Sequence, residues 1–193
     1  MSVCIKSLLI NVLRVTVLPL LLFGVLASVS FAQGQLSVSL TQKEGFDAIN
    51  RSRKEHGLYD LKPNSRLFRV AQEYAEFMAR RKELGHDLDG TTPSEKAHAA
   101  GYPKSSFVVE SVMFFGGIPT ERVQEKIARD YADGAVATWL ASKAGHREQV
   151  LTELYRDIGF GFARNGDKAY FCFHAGFASD ETNNPSQVVA GAN

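Results

Sequence analysis

One stretch constrains this chain more than any other: Trp139-Leu-Ala-Ser-Lys-Ala-Gly-His146-Arg-Glu-Gln-Val-Leu151, running into Tyr155-Arg-Asp-Ile-Gly-Phe-Gly-Phe162. It ends one helix, sets His146 and Arg147 just past a glycine break, and feeds a strand. Ile158, Phe160 and Phe162 alternate with glycines and Ala163, which is strand periodicity. Asn165-Gly166 is a strong type I′ hairpin signal, and Lys168 to Phe177 reads as the returning strand. Strands this few and this adjacent do not suit a doubly wound parallel sheet. An antiparallel sheet covered by helices is predicted.

Helical punctuation precedes these strands. Thr41 and Glu44 have capping-box spacing, Phe46, Ile49 and Arg53 follow at helical intervals, and Gly57 is placed to end that helix. Leu58 to Pro63 reads as a connector. A second helix is expected from Asn64, with Leu67, Val70, Ala71, Tyr74, Ala75 and Met78 on one face and Gly85 as its stop. Thr92, Pro93 and Glu95 supply an N-cap, a first-turn proline and a third-position acid for a short helix ending at Gly101. Phe107 to Phe115 is an apolar, β-branched and aromatic run, read as a buried strand. Thr120 is expected to cap a helix carrying Val123, Ile127, Tyr131, Val136 and Trp139, with Gly134 as a dividing point. His146 to Leu154 reads as a short helix.

The N-terminus bears on compartment. Lys6 and Arg14 flank the apolar run Val15 to Val29, which ends in Ser30-Phe31-Ala32. This reads as a signal peptide over residues 1–32, cleaved after Ala32, rather than a membrane anchor, because the run is short and carries Pro19. No later run has spanning length, so a secreted or periplasmic chain with no transmembrane segment is expected. The remainder, about 160 residues, is one domain over 33–178 followed by a polar, small-residue tail over 179–193. Net charge is +1 with no basic block, which argues against nucleic acid as a partner. The chain has two cysteines, Cys4 within the leader and Cys172, so the domain has no internal disulfide. Cys172, in Tyr-Phe-Cys-Phe-His, reads as a buried strand residue.

The residues able to carry chemistry are few. Glu110 is the one charge in Phe-Val-Val-Glu-Ser-Val-Met-Phe-Phe. Burying an unpaired carboxylate costs several kcal/mol, so Glu110 either faces solvent at a strand end or has a partner in a cleft. His86 sits in a loop after a helix stop, and His146 opens a short helix. Two histidines and a carboxylate make a zinc set in principle, although no local spacing such as H-x-x-x-H demands one.

Several ordered segments together resemble the CAP superfamily, the domains of cysteine-rich secretory proteins, insect antigen 5 and plant pathogenesis-related proteins. They are Ile49-Asn50-x-x-Arg53 with Gly57-Leu58-x-x-Leu61; Ala71-Gln72-x-x-Ala75-x-x-Met78-Ala79; and Gly85-His86-Asp87 with Ala97-x-x-Ala100-Gly101-Tyr102. Trp139-x-x-Ser142-x-x-x-His146-Arg147 and Ile158-Gly159-x-Gly161-x-Ala163 complete the set. The scarcity of cysteine is similar to the bacterial, SCP-like branch. The resemblance implies an α+β fold, a three-layer α-β-α sandwich with a small central antiparallel sheet and a central cleft. By position, His86, His146 and Glu110 are the implied metal set for zinc or another divalent cation. Val109-Glu110-Ser111 stands where the family has Gly-Glu-Asn. Ser142 stands where eukaryotic members have a second acid, leaving Ser142, or Glu148 beyond Arg147, to complete the cleft lining. Arg147 is expected to brace a loop. Phe114 and Phe115, beside Gly116-Gly117-Ile118-Pro119, form a candidate ligand loop, because such loops carry sterol in some eukaryotic members; the competing reading is a buried strand end.

Three functions follow from this reading. The first is a secreted, monomeric binding module with a His/Glu-lined cleft for a divalent metal and a small hydrophobic or cell-envelope ligand. The second is a metal-assisted or acid–base hydrolase using His86, Glu110 and His146. No nucleophile with an oxyanion-hole motif is visible, so no catalytic residue is assigned. The third is an extracellular interaction scaffold.

Overall fold

The computed structural model describes residues 40–118 and 125–177, with side chains from 128 onward in the second stretch. The leader over 1–32, the tail over 179–193 and the proposed cap at Thr120 with Val123 lie outside the described residues.

The first helix, α1, is helical over 40–55. Thr41 and Glu44 therefore lie inside the helix rather than at its cap. Both are buried, and Glu44 accepts instead from Arg129 Nε at 2.9 Å. Ala48, Ile49 and Arg53 form the inner face of α1. Arg53 is wholly buried yet well used: Nη1 donates to Val150 O and Thr152 O, each at 2.8 Å, and Nε to Tyr59 O at 3.0 Å. Asn50 grips Leu61 on both its N–H and its C=O. This grip aligns β1 (Lys62–Pro63), a strand at the end of the predicted connector; its two residues are too few to show any periodicity.

Asn64 then caps α2 (Ser65–Arg81), its side chain accepting from Arg66 N and Leu67 N. The helix stops before Gly85, at Lys82, whose φ of 59° turns its N–H and the next back onto Ala79 and Met78. The Thr92–Glu95 capping box opens α3 (Pro93–Ala99) as predicted. After β2 (Val108–Phe115) comes α4 (Glu125–Ala141), which runs unbroken through Gly134. Next is α5 (His146–Leu151), which Gly145 permits by taking φ 91°. The hairpin β3 (Asp157–Asn165) and β4 (Lys168–Gly176) closes the domain. Its loop is Gly166-Asp167 rather than Asn165-Gly166, because Asn165 stays paired with Lys168. Positive φ at Gly166 but not at Asp167 is the type II′ pattern. Asn165 instead donates from Nδ2 to Ala79 O at 2.6 Å.

The four strands are ordered β1-β3-β4-β2. Strands β3, β4 and β2 are antiparallel, and β1 adds parallel to β3. On one face, Phe160, Phe162, Phe171 and Phe173 pack with Trp139 of α4, Val150 of α5 and Ile49 of α1. On the other, Val112, Ala163, Tyr170 and Cys172 pack with Ala71, Tyr74, Ala75 and Met78 of α2. This is the expected α+β sandwich of three layers. The glycines alternating with Phe160 and Phe162 explain how close α2 sits. A Cβ on Gly159 would lie 2.1 Å from the Leu67 carbonyl carbon, and one on Gly161 2.0 Å from Ala71 O. Among the described residues, no helix is long and apolar enough to cross a membrane.

Candidate functional site

The exit of α2 carries the first histidine, and the loop that holds it is clamped. Tyr74 Oη donates to Gly85 O at 2.8 Å and accepts from Leu88 N at 3.3 Å. Lys96 Nζ of α3 donates to His86 O at 2.7 Å. With its backbone fixed, His86 directs Nδ1 onto Glu110 Oε1 at 2.8 Å; the imidazole is half exposed and the carboxylate fully buried.

Glu110 lies on β2, the edge strand, directly opposite His174 on β4. Strand alternation puts Cys172, two residues from His174, on the same face. Glu110 Oε2 is 3.1 Å from His174 Nε2, 3.7 Å from Cys172 Sγ and 3.7 Å from Lys96 Nζ. The Cys172 thiol is in turn 3.5 Å from His174 Nδ1. His174 Nε2 is close to the carboxylate but lacks the alignment of a hydrogen bond, and it is buried without another partner. The Lys96 ammonium lies 3.6 Å above the Tyr74 ring and 3.6 Å from Asp89, with only 7% of its side chain exposed. Burial alone would raise the Glu110 pKa. Contact with His174 and His86, and the Lys96 charge, outweigh it and bring the carboxyl down to about 2. Burial and then the Glu110 charge push the Cys172 thiol well up.

The facing wall comes from α5. Trp139, buried against Phe160 and Phe173, anchors the end of α4, and the turn through Gly145 aims His146 back toward His86. The two imidazole centroids are 6.5 Å apart. His146 Nδ1 is 2.9 Å from Ser142 Oγ, which also accepts from Ala144 N at 3.1 Å. Ser142 is thus a turn oxygen that orients the ring. Burial first, and the neighbouring His86 second, lower the His146 pKa.

The remaining predicted positions divide. Arg147 donates to Leu140 O at 3.2 Å and reaches the His56 ring, bracing the end of α4. Glu148 is exposed. The next residue, Gln149, is the one that reaches β2, through a short contact with the Ser111 hydroxyl. Phe114 and Phe115 point to opposite faces of β2. Phe114 stacks on Tyr170 and stays 43% exposed, while Phe115 packs edge-on to Phe171. Phe177, the last residue of the predicted returning strand, lies just past the end of β4 and is half exposed against Tyr155.

His174 and Lys96 escaped the sequence reading. His174 sits in an apolar run that looks like core, and Lys96 looks like an ordinary helix-surface cation. Strand alternation places Cys172 and His174 on one face, but the register that sets Glu110 opposite them spans 64 residues.

Chemically, an ionised carboxylate only accepts, so His86 Nδ1 carries the proton toward Glu110. The Nε2 of neutral His86 then presents a lone pair. Among the described residues neither His86 nor His146 has a hydrogen bond at Nε2. Residues 46–177 match the cysteine-rich secretory protein family, CAP. The chain belongs to this family. Its fold is similar to that of an outer surface protein from Borrelia burgdorferi, at 24% identity and TM-score 0.54, covering 69% of this chain and 90% of that one. An extracellular SCP-domain protein from Bacillus anthracis is 19% identical at TM-score 0.48, covering 69% of this chain and 39% of that one. Venom allergen-like protein 4 from Schistosoma mansoni is 13% identical at TM-score 0.48, covering 73% and 90% respectively. Among curated proteins, none matches the sequence.

Proposed function

We propose that this CAP domain is an exported, monomeric binding module whose cleft takes a divalent cation, zinc foremost, between His86 Nε2 and His146 Nε2. The observation that carries the reading is the His86–Glu110 contact of 2.8 Å, which fixes the tautomer that offers Nε2 to a metal. The carboxylate thus orients a ligand, as metal-bound histidines generally require. Two imidazoles on one tetrahedral zinc have centroids about 5 Å apart, given Zn–N of about 2.0 Å. The pair here, at 6.5 Å, needs a closure on the order of 1 Å. Export rests on the leader and its cleavage after Ala32, which accords with the family's secretory character. The exposed ring of Phe114 is the place where a small hydrophobic or cell-envelope ligand would meet the domain.

Zinc titration followed through the ring 15N resonances tests the cleft directly. The Nε2 signals of both His86 and His146 should move together, and calorimetry on H86A and H146A should lose that binding component. Ring signals that stay put at excess zinc would overturn the reading. The same His86–Glu110 pairing also favours general-base chemistry at Nε2. That hydrolase reading predicts turnover of peptide or ester substrates that disappears in E110A, and no turnover across broad panels would remove it.

A further inference from the structure

Behind the imidazole pair lies a second constellation, of which the cleft reading uses only Glu110 Oε1. Glu110, Cys172 and His174 come from neighbouring strands, and each is buried. Their donor atoms lie within 4.8 Å of one another. The sulfur is 3.7 Å from Glu110 Oε2 and 3.5 Å from His174 Nδ1, and Oε2 is 3.1 Å from His174 Nε2. A tetrahedral ion with a metal–sulfur bond of about 2.3 Å and metal–nitrogen or –oxygen bonds of about 2.0 Å forces its ligands about 3.3–3.5 Å apart. With Nε2 as the one ring nitrogen that binds, the oxygen–nitrogen and sulfur–oxygen separations are near those of a ligand set, and the sulfur has still to close on Nε2. The second observation is His174 itself. Its Nε2 is fully buried and, although 3.1 Å from Glu110 Oε2, lacks the alignment of a hydrogen bond; a buried imidazole so poorly matched to its neighbour is better satisfied by an ion that takes the nitrogen lone pair.

We propose that Glu110, Cys172 and His174 form an inner thiolate-bearing site for zinc or a similar borderline-soft divalent cation, separate from the His86–His146 pair. Binding replaces the Cys172 S–H bond with a sulfur–metal bond, and the proton leaves to solvent. Charge supports a divalent occupant. Glu110, Lys96 and Asp89 sum to minus one. Adding a dication and converting the thiol to thiolate brings the sum to zero, with Lys96 keeping its contacts to His86 O and Asp89. The half-exposed His86 ring over Glu110 Oε1 is the entry, and a turn of that ring away from the carboxylate opens the path. Glutamate, imidazole and thiolate together select zinc-like ions over calcium or magnesium, which take oxygen ligands.

Cobalt(II) absorption on the folded chain tests this, with Cys4 changed to serine so that Cys172 is the only thiol. A thiolate-to-cobalt charge-transfer band should appear, persist in H146A, and vanish on adding zinc. It should be absent in C172S, and H174Q should need about tenfold or more cobalt to reach it. Circular dichroism establishes that both variants fold; if C172S does not, the band in the otherwise unaltered chain still decides. No charge-transfer band at saturating cobalt overturns the inner site. A nitrogen- and oxygen-only cobalt spectrum lost in H146A also overturns it while leaving the cleft reading standing. A thiolate band with unmoved His86 and His146 resonances supports the inner site and ends the cleft reading instead.

Discussion

Replacing Glu110 with glutamine removes one charge and almost no volume, so its consequence can be worked from the contacts. The carboxyl is buried between His86, His174 and Lys96, and it titrates at about 2 against an ordinary 4.5. Each pKa unit corresponds to about 1.4 kcal/mol, so the folded state favours the ionised form by about 3 kcal/mol. The folded value lies below the unfolded one. The stabilisation is therefore complete above pH 4.5, shrinks as the pH falls below it, and is gone near pH 2. Urea denaturation of metal-free protein, in chelator, should find E110Q less stable by about 3 kcal/mol at pH 7. The gap should close steadily between pH 4.5 and pH 2. Other carboxylates that titrate in acid, such as Glu44 on Arg129, are present in both proteins and cancel in the difference. Equal stability at pH 7, or a gap that holds constant down to pH 2, would refute the claim that this carboxylate is held ionised by its neighbours.

Two further outcomes follow from the geometry. G161A should cost at least about 3 kcal/mol in denaturant unfolding, because its methyl would strike the Ala71 backbone rather than a movable side chain; G116A, which meets nothing within 4 Å, should stay within about 0.5 kcal/mol of the parent. By NMR titration, His146 should show a pKa below 6.5. In H86A it should recover only part of the way, since burial is the larger cause, and full recovery would show that charge repulsion dominates.

Local grammar was the most legible part of this chain. Thr92, Pro93 and Glu95 predict their helix because every group of the cap lies within one turn. The alternation of glycine and phenylalanine in β3 likewise announces a strand with one bare face. Features set by partners distant in sequence were not readable. Thr41 and Glu44 mimic a cap, but Glu44 answers to Arg129, 85 residues away. The Asn165-Gly166 pair suggests one loop, but Asn165 is drawn to the end of α2, shifting the turn by a residue. For Glu110, sequence could pose the choice between exposure and partnership. Only the β2–β4 register, which sets His174 opposite, decides it for partnership. His86 and His146 were legible as residues, whereas their separation depends on the clamp at Tyr74 and Lys96 and on the turn at Gly145.

The bare strand under α2 has a consequence for how this domain can drift. Where a helix rests on main chain at Gly159 and Gly161, its height is set by atoms that every sequence shares. The loop bearing His86 hangs from the end of that helix, so its distance to β2 inherits the same fixed datum. Repacking of the phenylalanine layer on the opposite side can proceed without moving it. Relatives could therefore diverge widely in their aromatic cores and still hold an imidazole over the edge strand, provided those two positions stay free of a side chain.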